Sequence, residues 1–226
     1  MFSLLAKVGE VIRDPFPYVV IKDALQNYRE LAESRPKITG TGENKRIDMP
    51  SLEVLASTNK PWVEFVGYHT SVLFLDEIRA LFGFSFPYSA GPRGRSYELG
   101  MECQPGINTP LTKPARVRGP HLDNPRELYG GMLYMRLAED DSTGGDLQIY
   151  RWIKPKRFYG KLECFDEDVE VVAQVPYEAN VFVLFMNSID AVHGVSVRSP
   201  SQHPRLLVNV AADFKRPLFR TGHGPY

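Results

Sequence analysis

Three side chains of the sequence could bind one metal ion: His121, Asp123 and His193. His121 and Asp123 are two residues apart in PHLDNP, and in an extended chain residues i and i+2 point to the same side. His193 follows about 70 residues later, in VHGVSV. Two imidazoles and one carboxylate leave three adjacent positions of an octahedral ion open, as in non-haem Fe(II) oxygenases. A structural zinc site is instead closed by a fourth ligand. Because His-x-Asp also occurs by chance, for example in a capped turn, the surrounding elements must decide between these interpretations.

Length and composition predict a single soluble domain. The chain has 226 residues, of which 43% are hydrophobic and 24% charged, as is typical of a globular protein with one core. The 27 basic and 27 acidic residues balance, which disfavours nucleic acid as a partner. No stretch approaches the roughly 20 apolar residues of a membrane span, and the first residues lack the features of a signal peptide. We therefore expect a cytoplasmic protein that binds neither nucleic acid nor membrane.

The amino-terminal part predicts supporting helices. Residues Tyr18–Ile21 are typical of a short strand, and the amphipathic segment after them predicts a helix that ends before Pro36. A second helix is predicted over residues 71–81, with Gly83 ending it. Its apolar face would consist of Val72, Leu75, Ile78 and Leu81. The aromatic and Gly-rich residues 82–100 could cover an active-site mouth or form an ordinary connection.

From about residue 85 onward, short runs of β-branched and aromatic residues alternate with turn formers, which predicts strands. The predicted strands are Ala115–His121, Tyr129–Leu137, Asp146–Trp152, Val169–Gln174, Asn180–Met186, Gly194–Val197 and Leu206–Phe214. Their number and spacing predict a sandwich or jelly roll with the two helices packed outside. We expect a single domain over 1–226, with helical support and loops in 1–100, the β core in 101–214 and a tail in 215–226.

Six segments between Val117 and Phe214 follow one another in a recognisable order: VRGPHLDNP, GGMLYM, TGGDLQIY, EANVFVLF, HGV and PRLLVNVAADF. In order and spacing they resemble the 2-oxoglutarate- and Fe(II)-dependent oxygenases, especially their prolyl-hydroxylase-like branch. The resemblance implies a mainly β fold with supporting helices, a double-stranded β-helix of the jelly-roll, cupin-like type.

The resemblance also implies roles for individual residues. His121, Asp123 and His193 would bind Fe(II). Arg205, 12 residues past His193, would bind the distal carboxylate of 2-oxoglutarate through parallel charge-assisted hydrogen bonds. The gap between histidine and arginine is longer than is usual in the family, because of the extra residues SPSQHP. Arg198 is therefore a competing candidate, and a plain surface arginine is the alternative for both.

Three further side chains would contact the cosubstrate. Tyr134 stands where related enzymes often have a tyrosine hydroxyl on the same carboxylate, and Asn209 lies four residues beyond Arg205 on the same side of the strand. Leu147, after the two glycines 144–145, would pack against the methylene groups of 2-oxoglutarate. The structural alternatives are a core tyrosine, a buried amide bonded to backbone and a core leucine.

The implied reaction hydroxylates a C–H bond with O₂ and 2-oxoglutarate and releases succinate and CO₂. Asp123 is a carboxylate where related halogenases have Gly or Ala, so halide has no vacated position and hydroxylation is expected. The substrate stays open among small molecules, sugar derivatives and peptide side chains, and so does the oligomeric state. The alternative function is a cupin-like metal-binding jelly roll that binds or isomerises a sugar without 2-oxoglutarate. A third is a non-catalytic interaction module.

Overall fold

A computed structural model describes residues 3–48, 60–84, 99–160 and 162–221 of the chain. The helices are α1 (Tyr28–Glu33), α2 (Lys60–His69) and α3 (Val72–Phe82). The strands are β1 (Tyr18–Ile21), β2 (Arg46–Asp48), β3 (Leu99–Asn108), β4 (Glu127–Tyr134), β5 (Leu147–Trp152), β6 (Phe158–Tyr159), β7 (Glu163–Cys164), β8 (Val169–Val175), β9 (Phe182–Met186), β10 (His193–Val195) and β11 (Arg205–Phe214).

The strands form two main antiparallel sheets. The large sheet has the order β1-β9-β4-β11-β3-β2 and the small sheet the order β10-β5-β8, while β6 and β7 form a hairpin. From β4 onward the chain passes repeatedly between the sheets: β4 lies in the large one, β5 and β8 in the small one, β9 in the large one, β10 in the small one and β11 in the large one. This path is that of a double-stranded β-helix, so the expected mainly β fold is confirmed.

The large sheet is covered on both faces. Trp62 of α2 and Phe74 of α3 lie in one buried cluster with Val208 of β11. A second buried cluster joins the two sheets and includes Leu147 of β5 and Leu207 of β11. Because side chains alternate along a strand, β11 supplies one face to the helix-covered core and the other to the space between the sheets.

Most of the predicted strands are present, with ends shifted by up to three residues. The segment 115–121 is an exception, because it forms isolated bridges instead of a strand: Ala115 pairs with Arg198, and His121 pairs with Glu163 and His193. Strand β3 was not predicted, since its sequence LGMECQPGIN contains the Gly and Pro typical of loops. Its pairing with β11 over ten residues outweighs that local preference.

The second predicted helix is α3, and Gly83 follows it in the left-handed conformation with φ 70°. The predicted apolar face is wrong at Val72, which is 54% exposed. The buried face consists of Phe74, Leu75, Ile78 and Phe82. Helix α2 was not predicted, because KPWVEFVGYH is rich in β-branched and aromatic residues that favour strands.

Part of the tail lies beside the candidate metal-binding segment. The Leu218 N–H donates to the Pro125 carbonyl over 2.8 Å, and Phe219 packs against a cluster that contains Leu122. Most of the loop predicted over 82–100 lies outside the described residues. The domain boundaries at 100 and 214 stay a prediction. Within the described ranges, no helix has the length and apolarity needed to cross a bilayer.

Candidate active site

His121 and His193 lie directly opposite each other on two extended segments. The backbone N–H of each donates to the carbonyl of the other, over 2.9 and 3.0 Å, and the ring centroids are 4.4 Å apart. His193 begins β10, whereas His121 lies between β10 and the hairpin strand β7, where it also pairs with Glu163. Opposed residues project to the same side of a sheet, so this pairing brings the two imidazoles together.

A backbone carbonyl two residues earlier in the chain orients each ring. His121 Nδ1 is 2.8 Å from the Gly119 oxygen, and His193 Nδ1 is 3.0 Å from the Ala191 oxygen. A carbonyl oxygen can only accept, so each Nδ1 carries the proton and each Nε2 keeps a free lone pair. Metal-binding histidines are commonly held in this way. The Phe185 ring packs on His193, with centroids 4.5 Å apart.

Asp123 brings a carboxylate to the two Nε2 atoms. Its Oδ1 is 3.6 Å from His121 Nε2 and its Oδ2 is 3.3 Å from His193 Nε2. Gly130 of β4 leaves the space, because a Cβ there would be 3.2 Å from Asp123 Oδ2 and 2.9 Å from the Phe185 ring. The three ligand atoms lie within 4.8 Å of one another. In the described part of the chain, this is the one group of His, Cys, Asp and Glu that could hold a metal ion.

The local electrostatics suit a cation. Burial and the neighbouring His193 lower the pKa of His121 to about 4, so its ring is neutral at pH 7. Neutral imidazole and ionised carboxylate are the forms that coordinate metal. At Glu127, burial and then the charge of Asp123 raise the pKa to about 8.

Arg205, the first residue of β11, is 2% exposed and forms no ion pair with a described carboxylate. Its Nε donates to the Gly145 carbonyl over 2.8 Å and its Nη1 to Asn108 Oδ1 over 3.0 Å. The guanidinium lies 4.9 and 5.1 Å from the ring centroids of Tyr134 and Tyr177, which hold it in place. Its Nη2 is buried and has no hydrogen-bond partner among the described residues. A buried charge held only by neutral groups requires an anion for balance.

The positive charge of Arg198 is balanced by a carboxylate within the protein. Its Nη2 lies 3.2 and 3.1 Å from the two carboxylate oxygens of Asp140, and its Nε donates to Ser142 Oγ over 2.8 Å. Burial would raise the pKa of Asp140, but hydrogen bonds from Ser142 and the charge of Arg198 outweigh it and lower that pKa. Arg198 is not among the residues that line the cavity around the candidate metal ligands.

That cavity has a volume of about 590 Å³ and is lined by the three candidate metal ligands and by Arg205. Its size is typical of a small-ligand site. Leu147 and Asn209 line it, whereas Tyr134 is fully buried beneath Arg205 and is not one of the lining residues. The roles of these three side chains towards a cosubstrate stay predictions.

Among the lining residues that the sequence prediction missed are Arg46 of β2 and Asn108 of β3. Arg46 lies in a segment rich in Gly and charge, which is typical of loops, and Asn108 ends the strand that was not predicted. In Arg46, Ile47 and Asp48, one apolar residue stands between two charged residues. This alternation could have indicated a strand whose charged side faces the cavity.

The donor set fits a divalent metal with open coordination positions. Two neutral imidazoles and one carboxylate are the ligands of the non-haem iron sites, and no fourth described side chain closes the group. Arg205 adds a fixed positive charge in the same cavity. Together they can hold a metal and, beside it, an anion.

Comparison with protein-family models gives no match, and comparison with curated protein sequences gives none. Among solved structures, the chain is similar to a prolyl 4-hydroxylase from Phytophthora capsici, with 16% identity and a TM-score of 0.47 over 88% of this chain and 59% of that chain. It is also similar to a Pseudomonas putida prolyl 4-hydroxylase, with 16% identity and a TM-score of 0.39 over 94% and 95% of the two chains. The chain thus spans less than two thirds of the first. These similarities are too low to bear on activity, which has to be inferred from the side chains.

Proposed function

We propose that this chain is an Fe(II)- and 2-oxoglutarate-dependent oxygenase that hydroxylates a C–H bond of a small molecule, sugar derivative or peptide side chain. One observation carries the proposal: a single cavity is lined both by a three-residue metal site and by a buried arginine that has no carboxylate partner among the described residues. The metal site alone would suit many jelly rolls. The arginine adds a requirement for an anion, which 2-oxoglutarate meets.

His121, Asp123 and His193 would hold the iron. Bound iron supplies the redox chemistry by which O₂, 2-oxoglutarate and a substrate R–H become R–OH, succinate and CO₂. The chain itself supplies orientation. The carbonyls of Gly119 and Ala191 keep the proton on Nδ1 of each ring, so that both Nε2 atoms stay available as ligands.

Arg205 would bind the distal carboxylate of 2-oxoglutarate. Its Nε and Nη1 are already held by Gly145 and Asn108, which leaves Nη2 for the ligand. A charge-assisted hydrogen bond of this kind is about twice as strong as a neutral one. Leu147 would contact the methylene groups of the cosubstrate. Tyr134, fully buried against Arg205, would hold that arginine in place, and a contact of its hydroxyl with the same carboxylate stays a prediction.

The test is cosubstrate binding followed by turnover. Protein stripped of metal and loaded anaerobically with Fe(II) should give a weak metal-to-ligand absorption band when 2-oxoglutarate is added. In air, a panel of amino acids, peptides and sugars should contain a compound that stimulates the release of succinate. Asp123→Ala should abolish the band and the succinate while its circular dichroism spectrum is unchanged. Asp166→Ala, at an exposed carboxylate paired with Arg116, is the matched control and should behave as the wild type.

The contrary outcomes are distinct. Fe(II)-loaded protein that neither develops the band nor binds 2-oxoglutarate would contradict the proposal. Protein that binds metal but is indifferent to 2-oxoglutarate, and in which Arg205 can be replaced without effect, would favour the cupin-like alternative.

A further inference from the structure

Three buried donors from three neighbouring strands meet at one end of the cavity. Arg46, Asn108 and Arg205 lie opposite one another in the registers of β2, β3 and β11. Opposed residues project to the same side of a sheet, and all three line the cavity. Nη2 of Arg46, Nδ2 of Asn108 and Nη2 of Arg205 are buried, and none has a hydrogen-bond partner among residues 3–48, 60–84, 99–160 and 162–221.

The hydrogen bond from Arg205 determines which way the Asn108 amide faces. Arg205 Nη1 lies 3.0 Å from Asn108 Oδ1, and since a guanidinium only donates, the amide atom that faces it must be the oxygen. The Asn108 nitrogen is therefore a donor left for another group. Burial raises the pKa of Tyr134, while the charges of Arg205 and Arg46 act to lower it. The Arg205 guanidinium lies 4.9 Å from the centre of the Tyr134 ring.

The Arg46 side chain lies over β3, the strand between β2 and β11. Its Nε donates to Asp48 Oδ1 over 2.7 Å. This pair lies over Gly106, where a Cβ would be 3.3 Å from Arg46 Nε and would clash with Asp48. Burial lowers the pKa of Arg46; Asp48 opposes this effect and the charge of Arg205 adds to it. Gly106 therefore leaves the space for the Arg46–Asp48 pair on the side of the sheet from which Asn108 and Arg205 project.

We propose that Arg46 and Asn108 are ligand-binding residues which, with Arg205, hold one carboxylate at this end of the cavity. Three donor atoms that have no partner among the described residues select an anion rather than a cation. Two arginines and Asp48 leave one net positive charge, which one carboxylate neutralises. Its two oxygens offer about four lone-pair sites, enough for three donors. The inference rests on the proposed function in naming this group as the distal carboxylate of 2-oxoglutarate.

The test is the affinity of Fe(II)-loaded, anaerobic protein for 2-oxoglutarate, measured by calorimetry. Arg46→Met should weaken binding by about 10- to 100-fold, because it removes a charged donor. Arg46→Lys keeps the charge without the fork and should give an intermediate loss. Asn108→Asp keeps the oxygen that accepts from Arg205 but replaces the free donor with a negative charge, so it should lose at least as much as Arg46→Met. The matched control is Arg151→Met, at an arginine paired with Asp14 and Glu170, which should bind as the wild type does.

A second probe, 2-oxovalerate, has the same 2-oxo acid end but no distal carboxylate. Arg46→Met should bind it as tightly as the wild type, which also shows that the variant is folded. Equal loss for both probes would overturn the inference, because Arg46 would then act on the metal end or on the fold.

The two proposals can fail separately. If the wild type binds 2-oxoglutarate and Arg46→Met binds it equally well, the carboxylate site is wrong and the proposed function stands. If the wild type does not bind 2-oxoglutarate but binds glutarate in a way that depends on Arg46, the site stands and the proposed function is wrong. If the wild type binds no carboxylate, both are wrong.

Discussion

Two regions seven residues apart in sequence each bury an arginine, but only one of them contains a described carboxylate that balances the charge of the arginine. Arg198 is 3% exposed, and its partner Asp140 has a side chain that is fully buried. Arg205 is 2% exposed, and among the described residues it donates to the neutral groups of Gly145 and Asn108. Burial is the same in both regions, so it does not distinguish them. The difference is whether the protein supplies the counter-charge.

That difference separates a structural arginine from a ligand-binding one. Where Asp140 completes the pair, loss of one partner leaves a buried charge unbalanced, so the protein loses stability. Arg205 has no described carboxylate as a partner, so its unbalanced charge lowers the stability of the folded protein until an anion binds. Substitution at Arg198 should therefore affect folding, and substitution at Arg205 should affect binding.

The largest effect is expected at Arg198. Arg198→Met should lower the free energy of unfolding by about 3–5 kcal/mol, because it leaves the Asp140 carboxylate buried without its partner. Urea denaturation measures this loss. The affinity of the folded variant for 2-oxoglutarate should not change. The double variant Arg198→Met with Asp140→Asn should recover part of the loss, since the buried charge is gone; no recovery would show that packing, rather than charge, is responsible.

His69 provides a second group whose hydrogen bonds are completed inside the protein. Its Nδ1 faces the Phe65 carbonyl at 2.7 Å and its Nε2 accepts the Leu4 N–H over 3.2 Å, and burial lowers its pKa to about 4. In the unfolded chain the pKa of a histidine is near 6.5, so the unfolded protein takes up a proton on His69 more readily than the folded protein does. His69 therefore stabilises the fold fully above pH 6.5, and about 3 kcal/mol is lost as the pH falls from 6.5 to 4.

Replacing His69 by Gln should remove this part of the acid sensitivity. The difference in unfolding free energy between pH 7.5 and pH 4.5 should be smaller in His69→Gln than in the wild type, as measured by urea denaturation. Affinity for 2-oxoglutarate at pH 7.5 should be equal in the two proteins. An unchanged pH dependence would mean that His69 is not the buried neutral group described above.

Arg205→Met should show the opposite pattern to Arg198→Met. Affinity for 2-oxoglutarate should fall by about 1.5–3 kcal/mol, the contribution of a hydrogen bond to a charged group. Stability without ligand should stay the same or increase, because an unbalanced buried charge is removed. Thermal melting with and without 2-oxoglutarate measures both, since a saturating ligand raises the melting temperature of the protein that binds it. A large loss of stability in the ligand-free variant would remove the distinction between the two arginines.

The smallest effect is expected at Asn209. It lines the cavity opposite Gln104 and Met132, four residues along β11 from Arg205. Asn209→Ala should change 2-oxoglutarate affinity by no more than about 0.5 kcal/mol and should alter substrate-stimulated succinate release more than cosubstrate binding. A tenfold loss of 2-oxoglutarate affinity would instead assign Asn209 to the cosubstrate, as the sequence resemblance implies.

Local geometry explains what could be predicted. The two-residue spacing of His121 and Asp123 depends only on an extended chain, and the apolar runs of β4, β9 and β11 carry their strand preference in their own residues. Strand β3 and helix α2 were missed because their local preferences point elsewhere and tertiary pairing overrides them. Arg46 and Asn108 were missed for the same reason, since both lie in segments whose composition indicates loops.

By itself, the sequence determined the residue types that can bind a metal and the succession of strands that carries them. It also supplied two candidate arginines, Arg198 and Arg205, and the apolar strand that follows Arg205 favoured the latter. Only the tertiary structure placed Asp140 against one and left the other in the cavity with Arg46 and Asn108. The physical reason is that the environment of a buried charge is set by groups distant in sequence. Asp140 is 58 residues from Arg198, and Asn108 is 97 residues from Arg205. A local sequence pattern does not show which of these distant groups come into contact.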